Sequence, residues 1–136
     1  MNRWSHTVLF LLLLGMAVVG CRAGEQTSEG IAERFVDQHY VQIDLERAKP
    51  FCTGLALQKL QEEQRLTQGQ TIDESTRKPT VHYRLLQKSE EDGEHATYVF
   101  EGSIDVADAG RFTRRWMITT RRDSAGWKIS NFEEFD

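Results

Sequence analysis

The sequence predicts an α+β fold in which N-terminal helices pack inside a curved, four-stranded antiparallel meander. Two patterns support this prediction. Between residues 29 and 66, apolar side chains recur about every four positions, which is the spacing of a helix face. From residue 81 onward, short segments of alternating apolar and polar residues are separated by three glycine-containing turn sequences, as in consecutive β-hairpins.

An apolar run near the N-terminus has the layout of an export signal. Residues 8–21 read VLFLLLLGMAVVGC, and the segment before them carries one basic residue, Arg3, and no acid. A helix over residues 8–19 would span only about 18 Å, whereas the hydrocarbon core of a bilayer is roughly 30 Å thick. The run is therefore predicted to be a cleaved signal and not a membrane-spanning helix.

The end of that run, Val18-Val19-Gly20-Cys21, resembles the lipobox of bacterial lipoprotein signal peptides. In that family the cysteine is lipidated and becomes the first residue of the mature chain. The resemblance implies removal of residues 1–20 and a lipid anchor (palmitate) on Cys21, which would hold the protein on the cell envelope facing the periplasm. Arg22 stands where Asp retains enterobacterial lipoproteins in the inner membrane, so the outer membrane is favoured. The alternative is ordinary cleavage after Ala23, which would release a soluble protein.

The remaining chain is predicted to be one domain, residues 29–136, joined to Cys21 by a polar tether over residues 21–28. The seven residues 22–28 would reach about 23–25 Å when fully extended, so the domain would stay close to the membrane. Removing residues 1–20 takes away one of the 17 Lys and Arg residues and none of the 21 Asp and Glu residues, so the formal net charge becomes −5. This balance gives no basis for nucleic-acid binding.

Cys52 is the only cysteine left once Cys21 is lipidated, so no intramolecular disulfide can form in that state. Its neighbours are apolar, which predicts a small buried side chain and not a reactive thiol. A disulfide-linked dimer through Cys52 would need the thiol exposed.

Three helices are predicted before residue 67. Asp44 is expected to cap a short second helix that ends near Pro50, and Thr53 to cap a third helix with an apolar face that includes Leu55, Ala56, Leu60 and Leu66. Residues 67–80 are rich in turn-forming residues and are predicted to form a loop. The first helix is expected over about residues 29–43, with an apolar face made of Ile31, Ala32, Phe35, Val36, His39, Tyr40 and Ile43.

Four strands and three hairpin turns follow. In each strand the apolar residues occupy alternate positions, either all odd-numbered or all even-numbered, and these positions are predicted to face inward. From the first strand to the fourth they are Val81, Tyr83 and Leu85; Tyr98, Phe100, Ile104 and Val106; Phe112, Trp116 and Ile118; and Trp127 and Ile129. Asp92-Gly93 suits a two-residue turn that places Leu85 opposite Phe100. Residues 108–110 suit a three-residue turn, and residues 123–126 suit a loop of even length. All three loop lengths are consistent with the inward-facing positions of the strands that they join.

These registers predict that Tyr83 and Trp116 flank Gly102 across the inward face. A glycine inside a strand weakens it unless the sheet bends there or another group packs closely over it. Gly102 is therefore predicted to mark the bend of a curved sheet. Two interpretations stay open: the two aromatic side chains fill the space over the glycine, which is favoured because aromatic pairs are common in sheet cores, or the bend opens a cavity.

The order of these elements resembles the nuclear transport factor 2-like fold over about residues 29–135, together with the Asp44-x-x-x-Ala48 entry into the second helix and a last strand that begins at Trp127. This cone-shaped α+β architecture is shared with ketosteroid isomerase-like and cystatin-like proteins. Some members use the cone as an active site, some as a ligand pocket and some only for assembly. The resemblance therefore does not assign a function by itself.

Ketosteroid isomerase-like members use a carboxylate in the pocket as a general base and tyrosine or acid side chains to stabilise an oxyanion. No residue here matches that pattern, because Asp44 is better explained as a helix cap and Tyr40 as a core residue of the first helix.

The last strand offers two arrangements. Uninterrupted alternation from Ile129 would point Asn131 and Glu133 into the cone and place a carboxylate in an apolar site. A bulge near Ser130 would instead turn Phe132 inward and leave Glu133 in solvent. The bulge is favoured because burying an unpaired carboxylate costs more free energy.

No metal or cofactor is predicted, because His39, His82 and His95 lack a metal-binding spacing and there is no glycine-rich phosphate loop. Arg115 is expected on the outer face, diagonal to Glu101 and Asp105, where cross-strand ion pairing is its simplest role. The alternative for other basic residues near the hairpin ends is contact with anionic headgroups or a carboxylate ligand. The basic cluster between residues 111 and 128 comprises Arg111, Arg114, Arg115, Arg121, Arg122 and Lys128.

The sequence thus favours a non-enzymatic, membrane-anchored module of the cell envelope that binds an envelope protein or a small apolar ligand. A small enzyme of the ketosteroid isomerase-like class, with a cavity carboxylate as general base, is the alternative. A homodimer formed across the outer face of the sheet is a third hypothesis. The residues expected to line the cone are Tyr40, Tyr83, Tyr98, Gly102, Trp116, Asn131 and Glu133.

Overall fold

The computed structural model describes residues 27–70 and 78–136. The predicted signal segment, the lipobox with Cys21 and most of the tether lie outside the described residues, as do residues 71–77 of the predicted loop. Within the two described ranges, no helix has the length and apolar character needed to cross a membrane.

The first predicted helix is divided in two. Helix α1 covers Ser28–Val36 and begins after Thr27, whose hydroxyl accepts the N–H of Gly30. A π-helical turn over Asp37–Val41 follows it. Ser28 was expected to end the tether; it is instead the first helical residue and only 6% exposed. The folded domain therefore starts slightly closer to Cys21 than the sequence predicts.

The second helix, α2 (Leu45–Ala48), has the predicted cap, since a carboxylate oxygen of Asp44 accepts the N–H of Arg47 at 3.0 Å. A 3₁₀ turn over Lys49–Phe51 follows it and contains the expected proline.

Helix α3 (Gly54–Leu66) begins after Thr53, but the Thr53 side chain bonds to no helical N–H, so the predicted side-chain cap is wrong. The backbone N–H of Thr53 donates instead to the carbonyl of Ile129, at 2.9 Å, in the last strand. Cys52 and Ile129 also form a parallel bridge. The chain before α3 thus covers the outer edge of the sheet, where exposed backbone groups would otherwise pair with other chains.

The four predicted strands form one antiparallel sheet in sequential order, which confirms the meander. The strands are β1 (Thr80–Glu91), β2 (His95–Val106), β3 (Gly110–Asp123) and β4 (Gly126–Phe135). Together with the helices they give the predicted α+β, cone-type architecture.

The first hairpin has the predicted register around Leu85, although its turn is longer than predicted and β1 contains a bulge. Leu85 lies opposite Phe100, as expected, but the turn has three residues, because Glu91 pairs with His95. A bulge at Leu86 removes the extra residue from the ladder and restores the predicted pairing.

The turn of the second hairpin lies one residue earlier than predicted, which shifts the pairing of β2 with β3 by two residues. Val106 pairs with Gly110, so the turn is residues 107–109 and not 108–110. Asp108 takes φ 68°, a left-handed conformation that aspartate tolerates better than most residues, and Gly110 takes φ 98°. Trp116 therefore pairs with Phe100 and not with Gly102.

The third hairpin and its strand match the favoured interpretation. Arg122 pairs with Trp127, and a bulge at Ser130 separates the Thr120–Ile129 pair from the next pair along the ladder. Phe132 is 6% exposed and Glu133 is exposed, as the bulge predicts.

The core lies between the concave face of the sheet and helices α1 and α3. Phe112 was predicted to face this core but is 42% exposed, because it lies two residues after Gly110 at the end of β3. The largest fully buried side chains are Trp116, Tyr98, Phe35, Phe100, Leu60, Ile118, Ile129, Val36 and Thr120.

Candidate functional site

The space over Gly102 is filled by an aromatic ring. Trp116 is 1% exposed, and a Cβ placed on Gly102 would overlap its indole, 2.6 Å from Cζ3. Tyr83 pairs with Gly102 from the other side, and its ring meets that of Phe100 edge-on at 5.8 Å. The structure confirms the interpretation in which aromatic side chains fill this region, although Trp116 reaches Gly102 diagonally from the position opposite Phe100.

The π-helical turn places Tyr40 against the same tryptophan. The two rings are stacked, with centroids 4.2 Å apart and an angle of 11° between their planes. Burial raises the pKa of the Tyr40 phenol well above its usual value, and the carboxylates of Glu134 and Glu63 raise it further. Tyr40 therefore stays protonated and closes the helical side of the cone.

His39 forms the polar end of an aromatic cluster. Its ring stacks on Phe35 at 5.1 Å and lies 4.9 Å from the ring of Phe132. Its Nε2 is 2.7 Å from a carboxylate oxygen of Glu63, and the side chain is only 9% exposed. The pair joins the π-helical turn to α3 across 24 residues of sequence.

These side chains border an open groove of about 580 Å³ between α3 and the C-terminal half of β4. Four of its residues are glutamates and one is a lysine, so we call it the acidic groove. It is lined by His39, Tyr40, Lys59, Glu62, Glu63, Phe132, Glu133 and Glu134.

A second, mainly apolar cleft of about 380 Å³ adjoins the acidic groove and shares His39, Tyr40 and Glu63 with it. Its other lining residues are Ile43, Leu45, Leu66 and Thr67. Acidic and apolar surfaces therefore meet at the His39–Glu63 pair.

Two basic side chains near the acidic groove already have partners. Lys59 Nζ donates to Asn131 Oδ1 and to the carbonyl of Phe132, both at 2.8 Å. Arg114 Nε lies 3.6 Å from Glu134 Oε1, and its Nη1 donates to Asp136 at 2.6 Å. Neither cation is left over to neutralise the carboxylate of Glu133, whereas Glu62 is paired with Arg65 on the same helix at 2.6 Å.

Glu134 is the carboxylate that the bulge places beside the core. Its Oε2 accepts the Nε1–H of Trp116 at 3.0 Å, and its side chain is 49% exposed. In the described part of the chain the buried polar residues are Ser28 and Thr120, so no described carboxylate is enclosed in the cone.

The seven residues expected to line the cone separate into different environments. Tyr40 and Glu133 line the acidic groove. Tyr98, Gly102 and Trp116 are buried in the core. The other two are half-buried: the Tyr83 hydroxyl donates to the carbonyl of Glu33 at 3.5 Å, and Asn131 accepts from Lys59.

Sequence reasoning missed Glu134, Glu63 and Lys59. Glu134 faces the core only because the bulge reverses the parity of β4. Glu63 and Lys59 are ordinary surface residues of an amphipathic helix by pattern. One signal existed, since His39 is a polar residue on the apolar face of the first helix and such a group needs a partner.

Cys52 is 8% exposed, which confirms the predicted burial, and its Sγ is 3.6 Å from the carbonyl of Ala48. Burial raises the pKa of the thiol to about 12, against a lowering effect of the charge on Lys128. A disulfide-linked dimer through Cys52 is inconsistent with this burial.

Most basic residues of the cluster between 111 and 128 have structural partners. Arg115 lies directly opposite Glu101, and not diagonal to it as predicted, with 3.8 Å between Nε and Oε2. The difference follows from the two-residue shift in the register between β2 and β3. Arg111 pairs with Asp105 at 3.0 Å.

Within residues 27–70 and 78–136, no three His, Cys, Asp or Glu residues are grouped closely enough to hold a metal ion. His95 is paired with Asp92 at 3.1 Å, and this contact lowers the pKa of the Asp92 carboxyl.

Comparison with solved structures supports the fold. The structure of a ketosteroid isomerase-like protein from Erwinia carotovora atroseptica SCRI1043 aligns with a TM-score of 0.58 and 12% sequence identity, over 82% of this chain and 95% of that one. The intermembrane space region of chloroplast protein ARC6 aligns with a TM-score of 0.43 and 16% identity, over 85% and 98% of the two chains. No family model and no curated protein matches the sequence. The first similarity shows that this chain has the cone-shaped fold of ketosteroid isomerase-like proteins.

Proposed function

We propose that this protein is a lipid-anchored, non-enzymatic module of the bacterial cell envelope that binds an envelope protein or a small ligand through the acidic groove. The anchor is proposed from the sequence Val18-Val19-Gly20-Cys21. The outer membrane is the favoured location because Arg22, and not Asp, follows the cysteine.

The observation that carries the non-enzymatic part is the filled cone. Trp116 occupies the space over Gly102 and stacks on Tyr40, so the place where related folds hold a substrate is taken by the protein's own side chains. The nearby carboxylate of Glu134 accepts from Trp116 Nε1 and is half exposed to water. This arrangement favours binding at the rim of the cone over chemistry inside it.

The acidic groove suggests the chemistry of the partner. The carboxylate of Glu133 has no cationic partner among the described residues, since Lys59 is already bonded to Asn131 and Phe132. Glu62, on the other wall of the groove, is paired with Arg65. The adjoining apolar cleft offers a place for an aliphatic or aromatic group. A basic group next to an apolar group, in a peptide segment or a small molecule, matches both surfaces.

Site-specific photocrosslinking in a bacterial host tests this proposal. A photoreactive amino acid is placed at Glu133 or Glu62 of the full-length protein, and at Thr113, an exposed residue of β3, as the control. We expect discrete adducts from the two groove positions and none from Thr113. Equal adduct patterns from all three positions would contradict the assignment of the groove.

The enzymatic alternative has its own test. The full-length protein is assayed for isomerisation of a β,γ-unsaturated ketosteroid, together with Glu133→Gln, Glu134→Gln and Asp44→Asn. We expect no turnover above the uncatalysed rate. Turnover that one of these substitutions abolishes would overturn the non-enzymatic assignment.

A further inference from the structure

We infer that the β3–β4 turn and its neighbouring groove form a surface that docks onto anionic phospholipid headgroups. This groove, about 620 Å³, lies at the end of the domain where α1 begins, and we call it the proximal groove. Its lining includes Thr27, Ile31, Phe51, Arg122, Trp127 and Lys128. The inference rests on the proposed lipidation of Cys21.

The length of the tether limits how far the proximal groove can lie from the bilayer. Thr27 follows Cys21 by six residues, which reach at most about 20–22 Å when fully extended. Thr27 itself lines the proximal groove. The acidic groove is farther away, because β4 runs from the proximal groove to Glu133 over about 20 Å at the usual rise of a strand.

The proximal groove presents aromatic side chains at this end. Trp127 and Phe51 are both half-buried, and Phe51 packs against the core while Trp127 lies outside the core cluster. Tryptophan prefers the headgroup level of a membrane because its ring is amphipathic. Trp127 is thus positioned to enter the headgroup region when the tether holds this end against the bilayer.

Positive charge accompanies Trp127 on the β3–β4 hairpin. Arg122 pairs with Trp127 across the two strands, and Arg121 pairs with Lys128 one position along. Among the described residues the guanidinium groups of Arg121 and Arg122 have no ion-pair partner, whereas Arg111 is paired with Asp105. Arg122 shares a sheet face with Trp127, and Arg121 lies on the opposite face of the same hairpin end. An unpaired guanidinium on each face of this turn suits contact with a surface of phosphate groups.

Acidic residues define how the domain is tilted. Glu90 lines the proximal groove from β1, and Asp92 and Glu94 occupy the β1–β2 turn. Asp123, in the β3–β4 hairpin, accepts the N–H of Ala125 at 2.8 Å, so it is used in its own turn. Both turns lie at the same end of the sheet, because the backbone N–H of Arg122 donates to the carbonyl of Glu94 at 2.8 Å. The inferred orientation therefore tilts the domain so that the β3–β4 turn lies nearer the headgroups than the β1–β2 turn.

Fluorescence quenching in vesicles tests this orientation. The full-length gene is expressed, and the lipidated protein is reconstituted into vesicles of phosphatidylcholine and phosphatidylglycerol with brominated acyl chains. Trp116 is buried, so the difference between the wild-type protein and Trp127→Phe reports on Trp127. We expect Trp127 to lose most of its emission in these vesicles and to recover it when phosphatidylglycerol is omitted or salt is raised.

A matched pair of variants tests the charges. Arg121→Gln/Arg122→Gln removes two charges from the proximal end of β3, and Arg111→Gln/Arg115→Gln removes two charges from elsewhere on the same strand. The first variant should weaken docking about fivefold for each lost arginine, and the second should leave the quenching unchanged. Circular dichroism confirms that both variants are folded.

The other possible outcomes distinguish a failure of the docking surface from a failure of the lipid anchor. Protein that floats with the vesicles while Trp127 stays unquenched overturns the docking surface and leaves the anchor intact. Protein that does not float contradicts the lipid anchor, and the docking surface with it. Quenching that does not distinguish the two arginine pairs contradicts the role of the headgroup charge. A protein adduct from a photoreactive residue at position 127 in cells, without quenching in vesicles, assigns the surface to a protein partner and not to lipid.

Discussion

The indole of Trp116 occupies the space over Gly102 that a side chain at that position would need. The contact is made diagonally, since Trp116 pairs with Phe100 across β2 and β3. The indole also stacks on the ring of Tyr40, with 4.2 Å between the centroids, so sheet and helix meet through this one ring. The fold of a ketosteroid isomerase-like protein is thereby retained while the centre of its cone is used for packing.

Gly102→Ala should destabilise the protein by about 1–3 kcal/mol, because the added methyl group overlaps the buried ring of Trp116. At a strand position with open space, replacing glycine by alanine would stabilise the protein by roughly 0.5–1 kcal/mol. The sign of the change in unfolding free energy therefore shows whether Trp116 occupies the space over Gly102. Urea unfolding followed by circular dichroism measures it, with Ser103→Ala as the neighbouring control. A stabilised Gly102→Ala variant would show that the cone is open at this point.

The buried hydroxyls of Ser28 and Thr120 should be coupled. Their oxygens are 2.6 Å apart, and Thr120 Oγ1 also donates to the carbonyl of Ala96 at 3.2 Å. Ser28→Ala and Thr120→Val should each cost about 1–3 kcal/mol, because each leaves a buried polar group with fewer partners. The double variant should cost less than the sum of the two, and additive losses in a double-mutant cycle would argue against the bond.

Glu63→Ala should destabilise the protein more than Glu62→Ala, its neighbour on α3. Glu63 bonds to the nearly buried His39, and its removal leaves the ring nitrogen without that partner at a cost of roughly 1–3 kcal/mol. Glu62 bonds to the exposed Arg65 on the same helix, an interaction that solvent weakens strongly. Thermal unfolding of the two variants separates the cases, and equal melting temperatures would contradict a structural role for the His39–Glu63 pair.

Cys52 should react slowly with a thiol reagent such as DTNB. The folded pKa of about 12, against the ordinary value of 9.0, lowers the thiolate fraction at pH 8 about a thousandfold, and burial slows access further. The Cys21→Ala background leaves Cys52 as the sole cysteine of the chain. Its labelling should be rapid in urea and slow in native buffer; equally fast labelling in both would show that the thiol is exposed.

The same pKa gives a pH dependence with a defined sign. The folded state holds the thiol proton more tightly than the unfolded state does, so the contribution to stability is complete below about pH 9 and is lost as the pH rises towards about 12. Cys52→Ala should therefore lose less stability than the wild-type protein over this alkaline range, as measured by urea unfolding at each pH. Parallel losses in the two proteins would contradict the raised pKa.

The meander was predictable from parity, but the details of its turns were not. Moving a turn by one residue shifts the register of the two strands by two, and the same side chains still face inward. The alternation of Phe112, Trp116 and Ile118 is therefore equally consistent with a turn at residues 107–109 and one at residues 108–110. The observed turn places Asp108 in a left-handed conformation, which the alternation of apolar residues does not predict. The bulge at Ser130 was predictable because burying Phe132 and exposing Glu133 is much less costly than the reverse.

The acidic groove was less accessible to sequence reasoning. It combines residues from the π-helical turn, α3 and β4, and their proximity depends on how α3 packs against the sheet. The π-helical turn itself leaves no clear mark in the sequence. The helical pattern predicts Tyr40 as a core residue, but no local pattern indicates that Glu63, 24 residues from His39, is the partner of that histidine.

Metabolic labelling with a fatty acid tests the central claim most directly. The full-length protein and Cys21→Ala are expressed in a bacterial host with labelled palmitate, and membrane and soluble fractions are compared. We expect the wild-type protein to carry label and to sediment with membranes, and Cys21→Ala to lose both the label and the lipid-dependent attachment. Unlabelled wild-type protein, or a Cys21→Ala variant with unchanged membrane attachment, would contradict it.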